Sequence, residues 1–283
     1  MISAFGKPMR PHLEALVQGA RDSLLISSPY IGLDAARWIC GLVARRGSGL
    51  RMRTLTSISV PSVAAGALDM GALKELAANP GGGEVINLPR LHAKVYVADC
   101  SVAIVTSANL TEGGLEGNYE YGLAIDAPAI VRRIRGDLDA YASVGNQLSW
   151  DELVELAAIG EDLRAAWQRA SRSAEGPSTR KFRRLVRSMR QPVLAAQVGT
   201  RSAHSIYCAA ICFALRDGPL TTDDLHPRIQ QLLPDLCDDS KELVIHGQRF
   251  GKRWKHDVRN AQQGLKKAGV VALRQSKWTL ETR

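Results

Sequence analysis

The chain has 283 residues, 45% of them hydrophobic and 23% charged, which is enough apolar material for about two packed domains and too much for a disordered chain. Lys and Arg number 37 against 28 Asp and Glu, a formal charge of +9. That surplus points to an anionic partner, nucleic acid first and an acidic membrane surface second. The N-terminal residues lack the continuous apolar core of a secretory signal, and no apolar run approaches bilayer-spanning length. No membrane segment is expected, and the chain reads as cytoplasmic. Five cysteines (Cys40, Cys100, Cys208, Cys212, Cys237) make an odd set without zinc-like spacing, so free thiols in a reducing compartment are expected.

Residues 10–20 carry Leu13, Leu16, Val17 and Ala20 at helical spacing. Residues 23–31 read as a first buried strand closed by Pro29, because proline is tolerated at a strand end. Asp34 is placed to cap a helix over 35–45, with Trp38, Ile39, Leu42 and Val43 on one face. Residues 50–56 give a second strand. Residues 71–78 give a short helix, stopped by Asn79-Pro80 and the glycines that follow. Residues 85–88 give a third strand, whereas 57–70 carry no clear period. Residues 94–96 and 101–106 alternate or run apolar as strands do, 120–125 reads as a last strand, and 129–142 as a helix. Ser149 opens a helix over 150–170, with Glu152 as its capping-box partner. Strands alternating with helices imply an α/β domain with a mixed β-sheet flanked by helices.

The candidate chemistry lies in 91–122, LHAKVYVADCSVAIVTSANLTEGGLEGNYEYG. His92 and Lys94 are two apart on an extended segment, so they point the same way. The next apolar run delivers Ser107 and Asn109, again two apart, near a strand end. An imidazole, an ammonium, a hydroxyl and an amide together suit a group with several anionic oxygens, which is a phosphate. His92-Ala-Lys94, four residues, Asp99, six residues, then Thr106-Ser107-Ala108-Asn109 resembles the H-x-K-x4-D and G-S-x-N motif of the phospholipase D-like superfamily. Asn118-x-Glu120 resembles its downstream N-x-E, and Thr106 stands where Gly is usual. The resemblance covers roughly the first 145 to 170 residues.

The resemblance implies that His92 is a nucleophile forming a phosphohistidine, and that Lys94 and Asn109, assisted by Ser107, hold the phosphate oxygens. It implies that Glu120 orients the imidazole and that Asp99 gives structural support. The family places two motifs in each active site, one His attacking and the other protonating the leaving group. This chain carries one copy, so a symmetric homodimer through the catalytic domain is expected. No metal or other cofactor is expected.

Residues 171–178 are small and polar and hold Gly176-Pro177, a linker signal. From 180 to 216 there are eight Lys or Arg and no acid, with Arg180, Lys181, Arg183 and Arg184 crowding the start. A basic helix there is either solvated or turned to phosphate. Residues 205–215, 225–233 and 253–268 read as helices, Gly269 ends the third, and 270–273 and 277–280 read as two strands. Three helices followed by a two-stranded wing is the winged-helix order. At WKHDVRNAQQGLKKAGVVALRQSKWTL it resembles the N-terminal winged-helix domain of Mrr-like restriction proteins. That implies DNA binding through Arg249, Lys252, Arg253, Lys255 and Arg259, on the third helix or its approach. A protein-binding winged helix is the alternative.

The expected organisation is a phospholipase D-like catalytic domain over 1–147, a helical basic linker over 148–194 and a mainly α winged-helix domain over 195–283. The expected function is a metal-independent phosphodiesterase acting on DNA, an endonuclease of restriction or defence type. The competing functions are a lipid phosphodiesterase or phosphatidyltransferase, and a non-catalytic DNA-binding regulator.

Overall fold

The computed structural model describes residues 1–45, 49–172, 185, 188–189, 202–216, 218–245 and 247–281. The chain divides into two compact units, Met1–Gln197 and Val198–Arg283.

The first unit is built on one sheet. Its strands are β1 (Ile2–Gly6), β2 (Ser23–Ser27), β3 (Arg51–Thr56), β4 (Gly83–Asn87), β5 (Val95–Ala98), β6 (Val102–Thr106), β7 (Tyr121–Ile125) and β8 (Asn146–Gln147). They lie in the order β1-β7-β6-β5-β2-β3-β4-β8. β2, β3 and β4 run parallel, and every other neighbouring pair is antiparallel. The parallel strands are those joined by crossovers that contain helices, as parallel pairing requires. The mixed sheet and flanking helices agree with the alternation in the sequence.

The helices are α1 (Arg10–Gly19), α2 (Leu33–Arg45), α3 (Val60–Ala64), α4 (Met70–Ala77), α5 (Pro128–Val144) and α6 (Trp150–Arg172). Leu24, Ile26, Tyr96 and Ile104 of the sheet share one buried cluster with Leu13 and Val17 of α1, Ile39 of α2, Leu73 of α4 and Leu163 of α6. Met189 is buried in the same cluster. The alternate strand positions Leu25, Val97 and Ala103 face the other side and are also buried, as are Val131 and Leu138 of α5. Asp69 caps α4 by accepting from Gly71 N at 2.8 Å and Ala72 N at 3.3 Å. Ser149 and Glu152 close the expected capping box on α6, at 2.7 and 3.3 Å.

Several elements depart from expectation. β1 is an edge strand whose first residues are exposed, so it leaves no periodic signal. β8 follows α5, so β7 is not the last strand. β2 ends at Ser27, short of Ile31, because Ser28 turns its hydroxyl onto Tyr30 O at 2.7 Å and Pro29 has no N–H to offer. Asp34 lies inside the first turn of α2 rather than at its cap. Residues 57–70 form α3, opened by a Ser59–Ser62 capping box, and the loop to α4.

The second unit holds α7 (Ala203–Ala214), α8 (Thr222–Leu232), β9 (Glu242–Ile245), β10 (Gln248–Lys252), α9 (Arg253–Lys267), β11 (Val271–Arg274) and β12 (Lys277–Leu280). Ser202 and Thr221 cap α7 and α8 with their hydroxyls. Ile206, Ile211, Leu225, Ile229, Trp254, Val258, Val271 and Trp278 form its core. β11 and β12 are joined by Gln275 and Ser276, both at positive φ (47° and 64°), as a tight hairpin requires. Leu220, between α7 and α8, bridges to β12: Leu220 N donates to Trp278 O at 3.0 Å and Trp278 N to Leu220 O at 2.7 Å. The β9–β10 hairpin interrupts the expected run of three helices. Its strands are nearly all exposed, so no buried face marked them in the sequence. All five cysteines are free, from buried Cys237 to exposed Cys100.

Candidate active site

His92 and Lys94 precede β5 on an extended segment. Thr106 N donates to Lys94 O at 3.1 Å, and Ser27 Oγ donates to Ala93 O at 3.0 Å. The sheet therefore grips the segment while the two candidate side chains share a rim. Lys94 Nζ lies 3.1 Å from His92 Nδ1 and 3.3 Å from Nε2, and it donates to the His92 carbonyl at 3.0 Å. The ammonium is nearly equidistant from the two ring nitrogens and is committed to neither. His92 is exposed and Lys94 half-buried. Burial lowers the Lys94 pKa, and the nearby charge of Glu120 offsets part of that effect.

Pairing of β6 with β7 brings together groups far apart in sequence. Ser107 N donates to Tyr121 O at 3.0 Å, and Tyr121 N donates to Ser107 Oγ at 3.1 Å. The Ser107 hydroxyl donates to Glu120 Oε2, and Asn118 Nδ2 donates to Glu120 Oε1 at 3.1 Å. Both oxygens of Glu120 are thus engaged by Ser107 and Asn118. The carboxylate reaches Lys94 through its charge, and the imidazole's hydrogen-bond partner is Lys94 rather than Glu120. Asn118 is a part of this network that the motif residues alone did not include, although the N-x-E spacing signals it.

Thr106, in the place of the usual Gly, donates its hydroxyl to Tyr121 O at 2.9 Å and accepts from Ala108 N at 3.1 Å. Its side chain ties the turn that carries Ser107 and Asn109. Ser28 Oγ accepts from Leu110 N at 3.0 Å, and the buried Tyr96 hydroxyl donates to Ala108 O at 3.3 Å. These two supports were not singled out in the sequence. The polar pair Ser27-Ser28 at the end of an apolar strand is the one signal they leave.

Asn109 is half-buried, and its Oδ1 is buried without a hydrogen-bond partner. Exchanging the two ends of the amide, which only the hydrogen-bond pattern decides, would turn an N–H donor to the same place. A π-helical turn, Gly113–Gly117, packs behind it. A Cβ on Gly114 would stand 2.3 Å from Asn109 O, so only glycine permits this approach.

Asp99 does not join the cluster. It sits at positive φ (53°) in the turn after β5 and accepts from Arg21 N, Asp22 N and Ser23 N at 2.8, 2.9 and 2.8 Å. Burial raises its pKa, but the three backbone donors and the Arg21 charge outweigh that and hold it below the ordinary value. Among the described residues no three His, Cys, Asp or Glu side chains gather as a metal site. A cleft of about 640 Å³ lined by α2, α4 and α6 contains none of the motif residues.

Arg180, Lys181, Arg183 and Arg184 lie outside the described residues. In the second unit Arg249 is exposed and paired with Glu242 at 3.4 Å, and the Lys252 ammonium donates to Asp239 O. Arg253 and Arg259 are exposed on α9, and Lys255 lies 5.6 Å over the Trp254 ring.

Residues 13–141 match the family model described as "Cardiolipin synthase, PLD-like domain". No curated protein matches the chain. Among solved structures, the chain is similar to the phospholipase D family member Nuc from Salmonella typhimurium. The identity is 14%, covering 52% of this chain and 97% of that one, with a TM-score of 0.43. It is also similar to NucT from Helicobacter pylori, at 23% identity over 48% of this chain and 91% of that one, TM-score 0.39. A third is a phosphatidylserine synthase of Haemophilus influenzae Rd KW20, at 16% identity over 60% of this chain and 45% of that one, TM-score 0.44. The family match spans the strands and turns that carry His92, Lys94, Ser107, Asn109 and Glu120.

Proposed function

We propose that the chain is a metal-independent phosphodiesterase, a DNA endonuclease of restriction or defence type that works as a homodimer. The observation that carries the proposal is the Lys94 ammonium at 3.1 and 3.3 Å from the two ring nitrogens of an exposed His92. It sets a cation where a phosphate oxygen would lie when the imidazole meets phosphorus. One ring nitrogen of His92 attacks phosphorus, a P–N bond forms, and the P–O bond to the leaving strand breaks. The leaving oxygen takes a proton from the partner subunit's His92. Water then attacks the phosphohistidine, giving its proton back to that second imidazole, and the P–N bond breaks. Lys94, Asn109 and Ser107 meet the charge on the non-bridging oxygens, which is the largest contribution such a site makes. The reaction needs two imidazoles and the chain carries one motif, which is what favours the dimer.

The second unit serves as a winged-helix DNA-binding module in this proposal. Support comes from the hairpin β11–β12, the bridge from Leu220 to its outer strand, and the basic residues Lys255 and Arg259 on α9. Purified protein and a His92→Ala variant are incubated with mixed DNA in excess EDTA. Cleavage by the wild type alone supports the proposal, and equal cleavage by both refutes it. The matched family description names a cardiolipin synthase, which favours a lipid phosphodiester as the second reading. Hydrolysis of anionic phospholipid by the wild type, with DNA left intact, would establish that reading instead.

A further inference from the structure

We propose that Tyr119, with Lys7 beside it, is a stacking subsite for an unpaired base of the strand being cut; the inference rests on the nuclease reading. Two of the chain's six tyrosines flank Glu120. Tyr119 is 92% exposed and Tyr121 64% exposed, so neither ring contributes to the core. Lys7 Nζ lies 3.9 Å from the centroid of the Tyr119 ring, a cation–π contact that occupies one face and leaves the other open.

This arrangement is held in place by the sheet. Gly6 pairs with Tyr121 in the β1–β7 register, so Lys7 leaves β1 directly beside the segment that carries Glu120. A Cβ on Gly6 would be 3.8 Å from Glu120 O. A flat ring, a cation and the carboxylate that accepts from Ser107 are thus gathered just beyond the adjoining ends of two paired strands.

The chemistry of that trio matches a single-stranded nucleic acid. An aromatic ring stacks on any base because every base has a π-face, and an adjacent ammonium tracks the phosphate chain. In a duplex those faces are already covered by neighbouring bases. A strand gripped here therefore enters with at least one base unstacked, next to the phosphate held at His92 and Lys94. A second copy of the chain is the competing occupant of such an aromatic rim.

The test compares kcat/KM of the full-length protein on a single-stranded oligonucleotide and on one of the same length built from abasic nucleotides. Both carry the same phosphates. The wild type should prefer the base-bearing strand by about tenfold, the ratio that ~1.4 kcal/mol produces and within the range for one stacked base. Tyr119→Ala should erase that preference, and Tyr119→Phe should restore it. The inference is overturned if Tyr119→Ala keeps the preference or slows both substrates equally. A change of sedimentation in that variant would overturn it in favour of contact between copies. Cleavage of both strands by the wild type without preference sinks the subsite and leaves the nuclease proposal standing. Cleavage of neither sinks the subsite, and the nuclease proposal then stands or falls on the mixed-DNA assay.

Discussion

Lowering the pH from about 8 to about 5 should weaken the second unit by about 2 kcal/mol through one side chain, His226. The residue lies on α8, 4% exposed, with its ring edge-on to Trp254 of α9 at a centroid distance of 5.5 Å. Its Nε2 is buried without a partner. Burial first, then the charges of Lys255 and Arg259, push its pKa from the ordinary 6.5 down to about 4, against a smaller pull from Asp223. The folded ring stays neutral in mild acid, whereas the unfolded chain protonates near 6.5. Below that pH, protons stabilise only the unfolded state. Stability is therefore complete above pH 6.5, falls as the pH drops, and stops falling near pH 4, where the folded ring charges too. The loss at about pH 5 corresponds to a roughly 30-fold larger open population. Hydrogen exchange with mass spectrometry, corrected for intrinsic rates, reads this on peptides of α8 and α9 in the full chain. The same measurement on His226→Leu should show the slope removed. An equal slope in that variant, or none in the wild type, would refute the assignment.

Three further outcomes follow from the first unit. On the proposed mechanism, Lys94→Ala should lower kcat by about 100- to 1000-fold without moving the melting temperature, because it removes the cation that mechanism aims at developing charge and leaves no large side chain unburied. Asp99→Asn should cost about 1–2 kcal/mol, since three backbone N–H groups lose a charged acceptor that water can partly replace at this half-exposed turn. Because the folded pKa of Asp99 lies below its ordinary 3.8, that stabilisation is present above 3.8 and is lost as pH falls through the lower value. Urea unfolding across that range should find the acid loss smaller in Asp99→Asn. Gly114→Ala should cost about 1–3 kcal/mol by overpacking against Asn109 O, and should lower activity with it. Thermal melts paired with the nuclease assay check both effects.

The sequence made His92, Lys94 and their shared direction legible because extended backbone alternates with period two. It made the capping box at Ser149 and Glu152 legible because a cap is a local pattern. The contact of Ser107 with Glu120 was not, since it exists only once β6 and β7 pair across a thirteen-residue separation. That the His92 ring meets Lys94, while Glu120 meets Ser107 and Asn118, was not legible for the same reason: spacing says which groups are near a rim, not how they pair there. β1 and the β9–β10 hairpin were missed because their side chains are mostly exposed, and hydrophobic period is a signal of burial. His226 carried no motif at all. Its low pKa comes first from burial and then from the charges of Lys255 and Arg259, all of which helix packing brings about.

β5 fills the interval between Lys94 and Asp99, with Val95–Ala98 as its four residues. The strand thus acts as a ruler of about 17 Å, with the Lys94–His92 pair at one end and the fastening to Arg21, Asp22 and Ser23 at the other. Adding or deleting one residue would turn every side chain on one part of it to the opposite face. Either the ammonium would leave the imidazole or the carboxylate would leave its three donors. Within this span, substitution is free so long as the residues pack, while length is not.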